Sequence, residues 1–289
     1  MYIEKLKPGV TRISASADWP RPYVGVGGSM HGNEPCGSEA IRRIAESFER
    51  AELEPNKGTV FLIHANPEAT SQGRRHTPGG EDLNRLWDFD FTKTLREDAW
   101  GYEHHRVLEL EGVLRELDVF LDLHSAGITT PAFGVSNGEA QIDEIAKQVG
   151  ISYLVQSWYG LADKVIIGFL KLAGVPAFSV ECGAHDDPDI SDTAERIAMN
   201  FLRVTGAIDD GKPSNGTQVK TVHVLERITK PSEEFTFGAP WTGFQELEPG
   251  TLVGRDRVTE IRVGRPCYAV LPNENVDVGD DVIYLAVDT

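Results

Sequence analysis

Apolar residues recur along this chain in two rhythms, and the change between them divides it. Up to about residue 207, short apolar runs alternate with stretches in which apolar positions return every three or four residues. Residues 10–16 and 22–28 read as strands. Residues 37–51, with Ala40, Ile41, Ile44, Ala45 and Phe48 on one stripe, read as an amphipathic helix that Pro55 to Gly58 terminates. The β-branched run at 59–65 has the composition of a buried strand. A polar stretch without periodicity, 66–94, follows; it is too long to be a passive connector in a compact domain. A helical pattern covers 97–117, a buried strand 118–124, helices 139–149 and 160–173, a strand 176–180 and a last helix 189–207.

After a loop-forming segment at 209–216 the rhythm becomes that of short strands between Gly and Pro turns, over 217–228, 251–253, 260–263, 267–271 and 282–287, with no helical pattern. Strands alternating with helices imply a largely parallel sheet between helices. The fold class expected is therefore α/β, a mixed, largely parallel sheet with a small C-terminal all-β domain. The boundary falls between an α/β catalytic domain at 1–212 and a β domain at 213–289. No internal repeat or low-complexity segment interrupts it.

Composition narrows the function. The net charge of −17 over 289 residues argues against nucleic acid and anionic membranes as partners. It fits a salt-adapted surface or ordinary solubility equally. The N-terminus has no apolar signal core, and no run approaches a membrane span. Three cysteines, at 36, 182 and 267, without a C-x-x-C, form a cytoplasmic thiol pattern rather than a disulfide framework.

The candidate chemistry collects where apolar strands end. His31 and Glu34 at a strand-to-helix turn, then Asn66, His124 and Glu181, all fall at or just after such an end, where ligands gather in parallel sheets. His31, Glu34 and His124 make a two-histidine, one-carboxylate set, a composition known from catalytic zinc sites. Against it stands the reading of His124 as a satisfied strand-end histidine, since 93 residues separate it from His31. Asp122 shares His124's face of the strand and could orient the imidazole or satisfy a buried network. The arginines of the polar stretch could grip a carboxylate or polarise a carbonyl, or lie on the surface. Glu181, desolvated after a buried strand, suits a general base or a strand-end salt bridge. His64, His76, His104, His105 and His223 read as non-ligands, His185 as a residue that could line a pocket, and Cys182 as packing.

Six short motifs occur in one order: H-G-N-E at 31–34, N-P-x-A at 66–69, Arg75, D-L-N-R at 82–85, D-L-H at 122–124 and E-x-G at 181–183. In this the chain resembles the succinylglutamate desuccinylase and aspartoacylase family, which is related to zinc carboxypeptidases. The resemblance implies one Zn2+ per chain on His31, Glu34 and His124, Glu181 as the catalytic carboxylate and Arg75 as the group that polarises the scissile carbonyl. It also implies Asn84 and Arg85 on a substrate carboxylate. Where aspartoacylases carry a substrate-reading arginine, this chain has Lys171, a point charge and not a fork. Tyr268 or Tyr284 would stand in for the family's substrate tyrosine. The expected activity is zinc-dependent hydrolysis of an N-acyl amino acid, a small-molecule substrate. The alternatives are a zinc carboxypeptidase acting on short peptides and a binding protein for acidic metabolites. Homo-oligomer formation is compatible with the sequence.

Overall fold

The computed structural model describes residues 1–156, 164–214, 216 and 218–288. Its strands are β1 (Tyr2–Lys7), β2 (Val10–Ser14), β3 (Tyr23–Gly28), β4 (Thr59–His64), β5 (Val119–Ala126), β6 (Phe133–Ser136), β7 (Tyr153–Gln156) and β8 (Ala177–Ala184). Beyond these lie β9 (Lys220–Thr229), β10 (Thr236–Phe237), β11 (Glu246–Leu247), β12 (Leu252–Arg255), β13 (Glu260–Arg262), β14 (Cys267–Val270) and β15 (Asp281–Asp288). The helices are α1 (Pro35–Glu49), α2 (Pro67–Ser71), α3 (Phe91–Thr94), α4 (Tyr102–Glu116), α5 (Ala140–Ala146), α6 (Ile166–Leu172) and α7 (Ile190–Val204). Among the described residues no helix follows α7.

Twelve strands form one sheet in the order β1-β2-β4-β3-β5-β8-β6-β7-β9-β15-β14-β11. Its centre, β4-β3-β5-β8, is parallel. The β-branched and aromatic runs explain this: a strand covered on both faces needs apolar residues at every position, and β5 is buried throughout. On one face Val24, Val26, Leu121 and Val180 pack under α1 and α7. On the other, Phe120 lies under α4 and α6. A Cβ on Gly27 would stand 2.5 Å from the Phe120 ring, so β3 and β5 can lie side by side only with glycine there. The expected α/β architecture is present, and among the described residues the C-terminal segment is β throughout.

The structure differs from the sequence pattern in instructive places. The helix expected from 97 begins at Tyr102, after a 3-10 turn at 97–99. The stretch 66–94 is not featureless. It holds α2, α3 and a 3-10 turn, and Leu83, Leu86, Trp87 and Phe91 anchor it in the core. Part of the helix expected over 160–173, and Thr217 of the strand expected from 217, lie outside the described residues; the described helix starts at Ile166. Five strands were not legible, among them the two-residue β10. β1 is an exposed edge bearing Glu4, Lys5 and Lys7, β6 and β7 are four residues each, and β11 is two, too short for a period to show.

β9 pairs with β7 in parallel and with β15 in antiparallel, so the sheet runs on into the C-terminal segment without a break. A second, three-stranded sheet, β10-β12-β13, lies beyond. Phe133 and Val155 from the first part share one apolar cluster with Phe244, Tyr268 and Tyr284 from the second.

Candidate metal centre and active site

The turn that carries His31 and Glu34 is set by close backbone packing. A Cβ on Gly28 would stand 2.7 Å from the Gly37 backbone, and one on Gly32 2.1 Å from the backbone of Ala69, so both positions require glycine. Glu34 occupies the N-cap of α1 but does not cap it with its side chain; Pro35 follows at the first helical position. Ser29 takes the capping load instead, donating to Glu34 O at 3.1 Å and accepting from Ser38 N–H at 3.0 Å. The Glu34 carboxylate is thereby left for other partners. One oxygen lies 2.8 Å from His31 Nδ1 and the other 2.9 Å from His124 Nδ1. Ser125 N–H also donates to it, at 3.3 Å.

His124 sits inside β5, and β5 and β8 pair so that Glu181 is its register neighbour. The far nitrogen of each imidazole meets another carboxylate: His31 Nε2 to Asp82 Oδ1 at 3.0 Å, His124 Nε2 to Asp122 Oδ2 at 2.7 Å. A neutral imidazole has a single N–H. If that N–H goes to Asp82 or Asp122, each Nδ1 lone pair faces a Glu34 oxygen, which is repulsive unless a positive charge stands between them. The donor atoms of His31, Glu34 and His124 lie within 4.8 Å of one another. Two imidazole nitrogens and a carboxylate, each oriented from behind, fit a divalent cation such as zinc.

The ionisation of the group carries the same signature. Burial opposes the imidazolium of His31, but Glu34 and Asp82 outweigh it and raise the pKa. His124 is raised well above its ordinary value: burial opposes the charge, and Asp122 and Glu34 overcome it. Burial would raise the carboxyls of Glu34 and Asp82, yet the adjacent histidines hold both far below the usual range. Positive charge is what this cluster favours.

Glu181 behaves oppositely. Burial pushes its carboxyl up to about 7, and its Oε2 has no hydrogen-bond partner among the described residues. It stands beside the cluster, and among the described residues no cation forms the strand-end salt bridge that the sequence also allowed.

All eight sequence-derived candidates, His31, Glu34, Arg75, Asn84, Arg85, His124, Lys171 and Glu181, line one cavity of about 1490 Å³. Arg75 is clamped by Asp82, with Nε and Nη2 at 3.0 and 2.6 Å, and its Nη1 lies 3.9 Å from Glu34 Oε1. Asn84 accepts from Ile166 N–H at 2.9 Å, fixing the start of α6 over the cavity. Arg85 donates to Asn84 O at 2.9 Å.

The structure adds one residue that sequence reasoning passed over, Asp82, and places others that it had left open. Asp82 was visible only as part of a motif; its signal would have been a second carboxylate to match Asp122. His185 lines the cavity, with Nδ1 2.7 Å from Ser125 Oγ. Tyr284 is the C-terminal tyrosine on the cavity wall, its hydroxyl donating to Asp281 Oδ2 at 2.6 Å. Tyr268 instead contacts Lys220 and Glu246. Asn66, grouped with the site by its strand-end position, serves the scaffold: it accepts from Ala69 N–H at 3.1 Å and donates to Glu103.

Residues 20–205 match the succinylglutamate desuccinylase/aspartoacylase catalytic domain, and residues 217–289 the barrel-sandwich hybrid domain of the same family. The chain belongs to this family of deacylating hydrolases. Succinylglutamate desuccinylase from Vibrio cholerae has the same fold, with a TM-score of 0.78 at 19% identity over 97% of this chain and 85% of that one. The Vibrio parahaemolyticus enzyme gives 0.75 at 18% over 97% and 86%. The product-bound ectoine utilization protein EutE (DoeB) from Ruegeria pomeroyi gives 0.75 at 17% over 96% and 88%. No curated protein sequence matches. The family's enzymes act on small-molecule substrates, and no described helix is long and apolar enough to cross a membrane.

Proposed function

We propose that the protein is a zinc-dependent amidohydrolase that removes the acyl group from an N-acyl amino acid. The observation that carries this is the pairing of opposites in one cavity. A cluster that favours a cation (His31, Glu34, His124) lies beside a half-buried carboxylate, Glu181, whose Oε2 has no partner among the described residues and whose pKa is raised to about 7. Zinc, when held by the three ligands, lowers the pKa of water and polarises a carbonyl. A binding protein would have no use for Glu181 in that state.

Glu181 accepts the proton of the water that attacks the amide carbonyl carbon. As the C–N bond breaks it returns that proton to the leaving nitrogen. A pKa near neutrality suits both transfers. Arg75, held by Asp82 with Nη1 toward the cluster, donates to the carbonyl oxygen as its charge grows. Arg85 takes a substrate carboxylate. Asn84, its Oδ1 already used on Ile166, offers its NH2 beside it. Lys171 extends the binding surface on α6.

The organisation that goes with this reading is a catalytic part at 1–212 and a β part at 213–289, supported by the two family matches and by Tyr284 on the cavity wall. A peptide-cleaving carboxypeptidase needs an open groove; the wall supplied by residues such as Pro272 and Tyr284 favours a small substrate. Three unpaired, buried cysteines support a reducing, cytoplasmic setting. The test is turnover of N-acetyl, N-succinyl and N-formyl amino acids, set against short peptides, by zinc-loaded protein. Release of a free amino acid is expected, and turnover of the peptides alone would overturn the reading.

A further inference from the structure

The cavity does not end at the metal cluster. β6 and β8 are antiparallel, with Phe133 opposite Glu181 and Ser136 opposite Phe178. Ser136 therefore lies about 10 Å down the sheet from Glu181, at ~3.3 Å per residue. Ser179 and Val135 floor the space between, and α6 roofs it. The far end carries a group of polar side chains beside the apolar ones of α6.

Asn137 stands just past β6 and is 7% exposed. Its Nδ2 donates to Val175 O at 3.0 Å, while its Oδ1 is buried without a partner among the described residues. Asp143, on α5, accepts from Gln156 Nε2 at 2.5 Å through Oδ2, and its Oδ1 is likewise buried and unpartnered. No described cation lies within ion-pair distance of Asp143. The Lys171 ammonium hangs over the same turn: a Cβ on Gly138 would stand 3.8 Å from its Nζ. Lys171 has no described ion-pair partner either.

Buried acceptors without donors are uncommon in folded proteins and point to a missing partner. The charges say which. A simple cation would meet Lys171, and a simple anion would meet Asp143. A zwitterion satisfies both, its ammonium giving N–H donors to Asn137 Oδ1 and Asp143 Oδ1 and its carboxylate facing Lys171. We propose that the far end of the cavity receives a free amino-acid head, one ammonium and one carboxylate, at the end of the substrate remote from the scissile amide. The inference rests on the deacylase reading for the position of that amide. It narrows the substrates to amides whose amine or acyl portion ends in an unblocked α-amino acid, and it leaves Arg85 for a carboxylate near the cluster.

Three matched ligands test it: Nε-acetyl-lysine, its desamino counterpart 6-acetamidohexanoate and its decarboxylated counterpart N-acetylcadaverine. A γ-glutamyl alkylamide serves as the version with the head on the acyl side. Binding is measured by calorimetry on zinc-loaded Glu181→Gln protein, which holds ligand without turning it over. One head-bearing ligand, amine-side or acyl-side, is expected to bind at least about tenfold more tightly than its desamino and decarboxylated counterparts, the scale of one charge-assisted hydrogen bond. Asp143→Asn should erase the advantage over the desamino ligand alone, and Lys171→Met the advantage over the decarboxylated ligand alone. Equal affinity across the series, no binding by any member, or preferences unchanged in both variants would overturn the proposal. Because the ligand contrast is read on unaltered Asp143 and Lys171 first, a variant that misfolds does not remove the test. Failure of the deacylase reading looks different: wild-type protein would turn over no acyl amino acid while the binding preference remained.

Discussion

Asp82 Oδ1 lies 3.0 Å from His31 Nε2, and the other oxygen of the same carboxylate holds Arg75 at 2.6 Å. One side chain thus fixes the ring of a proposed metal ligand and the group proposed to meet the substrate carbonyl. Asp82→Asn keeps the size and removes the charge. Loss of such a partner typically weakens metal binding about 10–100-fold, so zinc affinity should fall by that factor, and kcat should fall further because Arg75 is released too. Chelator competition and steady-state kinetics on one preparation separate the two effects. Unchanged zinc affinity would reduce Asp82 to a clamp for Arg75.

His124→Ala removes one of three donors from a site that needs three protein ligands. Zinc content by elemental analysis should drop from one per chain to near zero, and activity with it. A fully loaded variant would mean that the cation sits elsewhere in the cavity.

Glu181→Gln keeps the shape and cannot accept a proton. General acid–base catalysis contributes about 10²–10⁴-fold, so kcat should drop by at least that range while zinc stays bound and KM changes little. If zinc is lost instead, Glu181 is a ligand and the donor set must be redrawn.

His64 gives a pH signature away from the cluster. Burial, with Arg106 nearby, lowers its pKa from 6.5 to about 4. Between those values the unfolded chain binds a proton that the folded chain refuses, so this group contributes stability that is present above 6.5 and lost as pH falls toward 4. His64→Gln retains a hydrogen-bonding partner for Thr70, which lies 2.9 Å from the imidazole, and cannot titrate. Denaturant unfolding of both proteins across that window, in the same metal state, should show a shallower loss in the variant. Parallel curves would mean that His64 titrates normally.

Much of the centre was legible because its cues are local. His31 and Glu34 lie within one turn, Asp122 and His124 alternate on one strand face, and the apolar runs at 59–65 and 118–124 state their own burial. The distal wall was not legible. Asn137, Asp143 and Gln156 come from short elements that meet only because β6 runs against β8 and beside β7, and no spacing in the chain records that. The 66–94 stretch misled for a related reason. Its four buried anchors, Leu83, Leu86, Trp87 and Phe91, are spaced as on one helix face, but they sit among polar residues and pack from a 3-10 turn, a connection and a four-residue helix, so only the tertiary contacts reveal their burial.

The ladder between β7 and β9 joins Tyr153 through Gln156 to Lys220 through His223. A clamshell motion of the two ends of the chain would have to tear out that ladder and split the aromatic stack of Tyr153 on Phe244, whose rings lie 3.9 Å apart. Exposed side chains on the cavity lie instead at its rim, with Asn273, Asn275 and Asp277 on the connection between β14 and β15. Under the proposed function, a cavity walled across such a joint would sort substrates as a gauge of fixed bore rather than as a jaw.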